Sequence, residues 1–310
     1  MASPAITDEH GARPAPPKRG RLRFGWLDAA LLAAAAGAFG YFAWRTNSVL
    51  HYRWDWGTVW PWILRYDEAT GSWTPNAIAQ GLATTLRLAL FGMILAAVIG
   101  VVMGFARTSR RLLPRMLAGF YVMLIRNIPP LVFVFVFVFF LANQILPSLG
   151  IADRMRALPP DAQWWLSWFF GPVGRIENFM VGLICLAVFT GAYVTEIVRA
   201  GIQSVPRSQI EAGMSLGLSR LQIMRDIVFP QALRNVIPPM ANQFIQMIKD
   251  SSLVSLVSVQ ELTFVAQDIQ TSTNRVFEVL LFVGGIYFLI CWSLSLLFGK
   301  LEGDAARTRG

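Results

Sequence analysis

Charge is scarce in this chain. Lys, Arg, Asp and Glu together make up 15% of its 310 residues, where a soluble domain carries about 25%. Histidine is limited to His10 and His51, and cysteine to Cys185 and Cys291, each inside an apolar run. Two cysteines so placed exclude a disulfide framework, and no CxxC or CxxH spacing exists to hold a metal. Lysine occurs only at Lys18, Lys249 and Lys300, never before Ser or Thr, so no Walker-type phosphate loop can be drawn. HExxH is absent as well. What is present is apolar: 55% hydrophobic residues, with 11 Trp and 22 Phe, and a mean hydropathy of +0.50. That composition excludes a disordered chain and an ordinary cytosolic enzyme, and it points to a polytopic membrane protein.

A membrane helix needs about 20 mostly apolar residues. Six stretches meet or approach this: 26–44, 81–105, 120–146, 179–198, 236–259 and 277–299. The third contains a strict alternation, LVFVFVFVFF, from Leu131 to Phe140. A lone strand in hydrocarbon would leave its backbone unpaired, so a helix is expected there. Basic residues concentrate in both tails and in the connections after the second and fourth spans, seventeen against seven in the other three loops. The positive-inside rule then puts both termini in the cytoplasm. Residues 29–43 also fit a signal-peptide core, but Trp26 and Trp44 flank them as interfacial anchors and favour a retained span.

The connection from Arg199 to Arg234 has internal grammar. Pro206 precedes Ser208-Gln209-Ile210-Glu211, a capping-box pattern, and a short helix is expected to end near Gly217 in the left-handed conformation. Ser219-Arg220-Leu221-Gln222 forms a second such pattern, with a helix expected to about Phe229, before Pro230. Two short helices would then project from the membrane, as an interfacial hairpin or as a docking surface. Gly213-Met214-Ser215-Leu216-Gly217 matches GxSxG, yet a nucleophile elbow needs a preceding strand and a later histidine, and both histidines lie upstream.

A mid-membrane Lys or Asp costs about 2.5–3.5 kcal/mol on insertion scales. The fifth span nevertheless carries Asn242, Gln243, Gln246, Lys249 and Asp250. At 100° per residue these share one arc of about 120°. Such a stripe serves either a watery path or a polar helix contact. Glu196 and Arg199, i and i+3, are expected to pair locally. Arg87 is placed to snorkel. Arg126 and Asn127 precede a break at Pro129-Pro130, and Gly100 and Gly104 form a GxxxG pair suited to close helix packing.

Glu211-Ala212-Gly213, Gly217, Ile227 and Pro230 resemble the EAA loop of ABC-importer permeases in every spacing, with Gly213 in place of the second Ala and Phe229 in place of Leu. Gly81–Leu86, Arg126–Val132, Ala192–Gly201, Asn242–Phe244 and Lys249–Val254 are similar to segments of the polar-amino-acid permeases within that group. The resemblance covers about residues 81–300. It implies an all-α polytopic fold of the type I importer class, with about six membrane helices and both termini inside. The implied organisation is a disordered basic tail (1–25), an extra helix (26–44), an outer loop (45–80), a five-helix permease core (81–300) with its coupling loop at 206–230, and a cytoplasmic tail (301–310).

It further implies a non-catalytic translocation subunit in the cell inner membrane. ATP and Mg would be bound by two separate ABC ATPase subunits, and no cofactor or metal by this chain. A second permease, an external solute-binding protein, an amino-acid substrate and membrane lipid would be the partners, with no nucleic acid. The residues implied in coupling are Ser208, Glu211, Ala212, Gly213, Ser215, Gly217, Ile227 and Pro230. Those implied along the path are Arg126, Asn127, Glu196, Asn242, Gln243, Gln246, Lys249, Asp250 and Ser251. Glutamate, aspartate or glutamine is the expected substrate, from a resemblance of Tyr52-Arg53-Trp54-Asp55-Trp56 to glutamate/aspartate permeases and from Lys249 as a carboxylate partner. The alternative is an ion-gradient-driven secondary transporter or channel. Such carriers often show repeated halves, none is visible here, and the loop would have no purpose in one.

Overall fold

The computed structural model describes residues 25–50, 52–68, 71–145 and 147–307. Apart from Gly25, the expected basic tail lies outside the described residues. The chain divides into two units, Met1–Trp54 and Asp55–Gly310. In the first, helix α1 covers Trp26–Leu50 and so outruns the expected 26–44. The Asp28 carboxylate in its first turn accepts the Gly25 N–H at 2.8 Å.

The second unit opens with two 3-10 turns, Trp56–Thr58 and Trp60–Trp62. An antiparallel hairpin follows, β1 (Leu64–Asp67) with β2 (Ser72–Pro75), a small addition in the outer loop to an otherwise helical fold. Tyr66 lies opposite Trp73, their rings edge to face at 5.4 Å, and Gly71 takes the positive φ (+62°) the turn requires. The Asp55 carboxyl is held below the usual carboxylate range, chiefly by the hydrogen bond from the Thr58 hydroxyl.

Helix α2 (Ala77–Thr108) starts at Asn76, whose side chain accepts the Ala77 N–H. Helix α3 (Leu112–Arg126) ends at Asn127, and α4 (Pro130–Val136) begins after Pro129. The two are bent by 111°, so the third expected span is broken where the Pro pair predicts, and it starts near Leu112 rather than at 120. A π-helical turn, Phe137–Ala142, then α5 (Asn143–Ile145), α6 (Ile151–Arg156) and α7 (Pro160–Phe170) lead to α8 (Ile176–Gln203). The remaining helices are α9 (Arg207–Ser215), α10 (Arg220–Gln222), α11 (Phe229–Asp250), α12 (Leu262–Thr273) and α13 (Val276–Arg307). Helix α13 continues past Lys300, where a tail was expected.

By length and apolarity, three helices among the described residues suffice to cross a membrane, Ala77–Thr108, Val173–Gln203 and Val276–Leu301. The bent pair adds a fourth, and Trp26–Phe42 is a shorter apolar segment. Helix α11 falls short because of its polar residues, and it gives way to a 3-10 stretch, Ser251–Val257, inside the expected 236–259 span.

The parallel pair α2 and α8 forms the centre of the core. Leu88, Ala89, Ala96, Leu183, Leu186 and Val194 are buried there together with Met247 and Ile248 of α11. Glycine makes this seam possible: a Cβ on Gly100 would lie 2.3 Å from Val194 Cγ1, and one on Gly104 2.6 Å from Val198 Cγ1. Gly81 plays the same part against α12, where a Cβ would meet the Leu262 Cα at 3.1 Å. Beside it Thr85 Oγ1 accepts the Leu262 N–H at 3.1 Å, while buried Glu261 accepts from Phe264 N (2.8 Å) and from the Tyr287 hydroxyl (2.7 Å). The Gly81–Leu86 segment thus clasps α2, α12 and α13 together.

Candidate functional site

The loop between α8 and α11 folds as an elbow. Helix α9 begins after Pro206, which takes the N-cap position without a side-chain hydrogen bond. The Ser208–Glu211 capping box therefore does not form: with Pro206 at the cap, Ser208 already sits inside the first turn. The Ser219–Gln222 box does form, in both directions. Between them Gly217 adopts φ +75° and closes a Schellman turn, its N–H on Met214 O (3.0 Å) and that of Leu218 on Gly213 O (3.1 Å). Pro230 does not end the second helix as expected. The backbone stays right-handed through a π-helical turn, Ile223–Val228, into α11, where Pro230 lies in the first turn. The widened turn changes register just before the ring, so the missing N–H falls where no regular i−4 bond was due.

The residues expected in coupling divide by position. Gly213 is buried, and a Cβ there would lie 2.7 Å from Ile227 Cδ1 and 3.2 Å from Ile223 Cγ1, so glycine lets α9 close onto the following helix. Val205, Ile223 and Val228 form a small core, with Ile210, Leu218 and Ile227 packed on it. Ser208, Glu211, Ala212, Ser215 and Pro230 are exposed. Three residues of the elbow that the motif did not single out are exposed as well: Met214, Leu216 and Leu221, to 53%, 80% and 78%. Their signal was available, as apolar residues in a polar loop that lie off its packed side. Gln209 and Gln231 hydrogen-bond to each other and tie α9 to α11, and the Asn235 amide donates to Ser204 Oγ at 2.7 Å, tying α11 to the end of α8.

The path candidates fall into separate groups. Glu196 pairs with Arg199 as expected (2.7 Å), and it also takes Arg107 of α2 (3.2 Å) and Arg126 (4.0 Å). One carboxylate thus gathers three guanidiniums at the elbow end of the bundle. Arg126 also lies over the Tyr193 ring at 5.4 Å. The Asn127 amide donates to Met123 O at 2.6 Å and so caps α3. On α11, Asn242, Gln246 and Lys249 line an open depression of 640 Å³ with Tyr287, Cys291 and Ser295 of α13. Gln243 and Asp250 are half-buried and do not line it, and Asp250 accepts from the Gln246 amide at 2.8 Å. Ser251 is buried, its hydroxyl on Ile248 O. Three members of the stripe therefore share one open face, while Glu196, Arg126 and Asn127 belong to a different part of the bundle. Among the described residues no cluster of His, Cys, Asp and Glu could hold a metal ion.

Fold and elbow together define a helical, multi-pass membrane protein with an exposed, rigidly mounted surface at one end of its bundle. Residues 96–304 match the family of binding-protein-dependent transport system inner membrane components. The chain belongs to that family, and it is an ABC-importer permease, a membrane component rather than a catalytic subunit. It is 33% identical to the probable glutamine ABC transporter permease protein GlnM of Bacillus subtilis, over 72% of this chain and 90% of that protein. It is 30% identical to the glutamine transport system permease protein GlnP of Escherichia coli, over 80% of this chain and 96% of that one. A crystal structure of an amino acid ABC transporter with histidines superimposes with a TM-score of 0.59 at 29% identity, covering 74% of this chain and 94% of that one.

Proposed function

We propose that this chain is the translocation subunit of an ATP-driven importer of polar amino acids in the cell inner membrane, with both termini inside. Two ABC ATPase subunits grip the elbow, a second permease completes the path, and an external solute-binding protein delivers the substrate. ATP and Mg belong to the ATPases. The observation that carries this reading is the elbow itself. Its inner side is packed, its turn is fixed by Gly217, and it exposes Met214, Leu216 and Leu221 together with Glu211. Exposed apolar side chains on a rigid mount mark a surface for a partner. ATP binding closes the ATPase pair, and the elbow passes that motion to α8 and α11, the helices at its two ends. The gradient-driven alternative leaves this surface without a task.

The Asn242–Gln246–Lys249 face lines the path in this reading, and the substrate is an acidic or amide amino acid whose carboxylate meets Lys249. Gln246→Leu removes a polar group from an open face without disturbing the core. Uptake of labelled L-glutamine or L-glutamate is expected to fall severalfold in this variant, with the co-purified ATPase unchanged. Wild-type uptake would reassign the stripe to helix packing.

A further inference from the structure

At the end of the bundle opposite the elbow, the first turns of α2, the end of α7 and the start of α8 enclose a cavity of 460 Å³. Two guanidiniums line it, Arg87 and Arg175, and no acidic residue does. Among the described residues neither side chain forms an ion pair or a hydrogen bond. Arg87 is half-buried and Arg175 exposed. Ser167 and Gln260 add polar groups, and Phe170 and Phe179, with rings 6.0 Å apart, form an apolar wall. Gly171 caps α7 with φ +87°, and a Cβ there would lie 3.7 Å from Arg87 Nη1. The guanidinium therefore rests against the carbonyl end of α7, whose partial negative charge favours a cation. Its planar N–H fork has no hydrogen-bond acceptor among the described residues.

We infer that this cavity binds the carboxylate of a free amino acid, taken by the Arg87 fork with Arg175 adding a second positive charge. The inference rests on the proposed function for the amino acid as cargo. A guanidinium pairs with a carboxylate through two parallel hydrogen bonds. A volume of 460 Å³ lies within the range of small-molecule sites. No carboxylate faces the ligand's ammonium, so binding is weak and readily released, as suits a waiting position rather than a store. The site shares no lining residue with the open face of α11.

The test uses the purified permease–ATPase complex in phosphatidylcholine nanodiscs, without solute-binding protein or nucleotide. Binding of radiolabelled L-glutamine and L-glutamate is measured at millimolar concentration, with 4-aminobutanamide and butane-1,4-diamine, analogues that carry no carboxylate, as competitors. Expected are binding by the wild type, no competition by the analogues, and a loss of about tenfold or more in Arg87→Gln, since a charge-assisted hydrogen bond is lost. Arg87→Lys keeps the charge and is expected to retain part of the binding, which separates recognition from folding. Wild-type affinity in Arg87→Gln, or no binding by the wild type, would overturn the site. So would retention of added phosphatidylglycerol by the wild type and not by Arg87→Gln without amino-acid binding, which would assign the cavity to a lipid headgroup. ATP-driven uptake is measured in parallel: a wild-type complex that imports no amino acid refutes the proposed function, whatever happens at Arg87.

Discussion

Gly217→Val is expected to abolish most ATP-driven uptake while the permease still accumulates in the membrane. Gly217 holds φ +75° at the turn between α9 and the next helix. A non-glycine residue in that region loses about 1–2 kcal/mol to the clash of its Cβ with the backbone, and a β-branched one is more strongly excluded. The turn would have to open, and its two closing bonds, to Met214 O and Gly213 O, would go with it. Leu218 would leave the small core it shares with Val205 and Ile223. Leu216, the most exposed apolar residue of the elbow at 80%, would point elsewhere. The main core is built from α2, α8 and α11 and does not involve this turn. Uptake is therefore expected to drop by more than tenfold, with less ATPase co-purifying and near-normal permease levels. Gly217→Ala should sit between Val and wild type. Full uptake in the Val variant would mean that the elbow's shape does not matter.

The second large effect is on assembly of the fold. A Cβ on Gly100 would lie 2.3 Å from Val194 Cγ1, 2.5 Å from its Cβ and 3.0 Å from its backbone carbonyl carbon. The last of these cannot be relieved by a rotamer change. Overpacking a well-filled core costs about 1–3 kcal/mol, occasionally more, against a total stability of about 5–15 kcal/mol. Gly100→Leu is expected to reduce folded permease severalfold or more, read as the monodisperse fraction on detergent size exclusion. Gly284→Ala is the control, because a Cβ there meets nothing within 4 Å. Combining Gly100→Ala with Val194→Gly should recover material that Gly100→Ala alone loses, as residues in direct contact couple. Independent, additive losses would show that α2 and α8 are not pressed together at this point.

The features legible in the sequence are those set by short-range chemistry. Gly217, the Ser219–Gln222 box and the Pro129-Pro130 break act through neighbours a few residues away, and each stands where its signal lies. The Glu196–Arg199 pair and the close packing at Gly100 and Gly104 follow from helical spacing alone. Other features depend on what the fold brings together. Arg107 joins Glu196 from 89 residues away, and Thr85 meets the start of α12 across 177. Local patterns misled at two places. Pro206 displaced Ser208 from the cap position, and the π-helical turn carried the chain past Pro230. The hairpin at Leu64–Pro75 was hidden by its brevity, four residues to a strand.

The most direct test is the energy source. The complex is reconstituted in sealed proteoliposomes with its solute-binding protein outside, and labelled substrate entry is followed with ATP inside, then with a non-hydrolysable analogue, then with the ion gradients collapsed by ionophores. Entry should require hydrolysable ATP, survive collapse of the gradients, and disappear in a variant carrying Leu216→Asp and Leu221→Asp. Entry that persists without hydrolysis and stops with the ionophores would make the elbow a bystander.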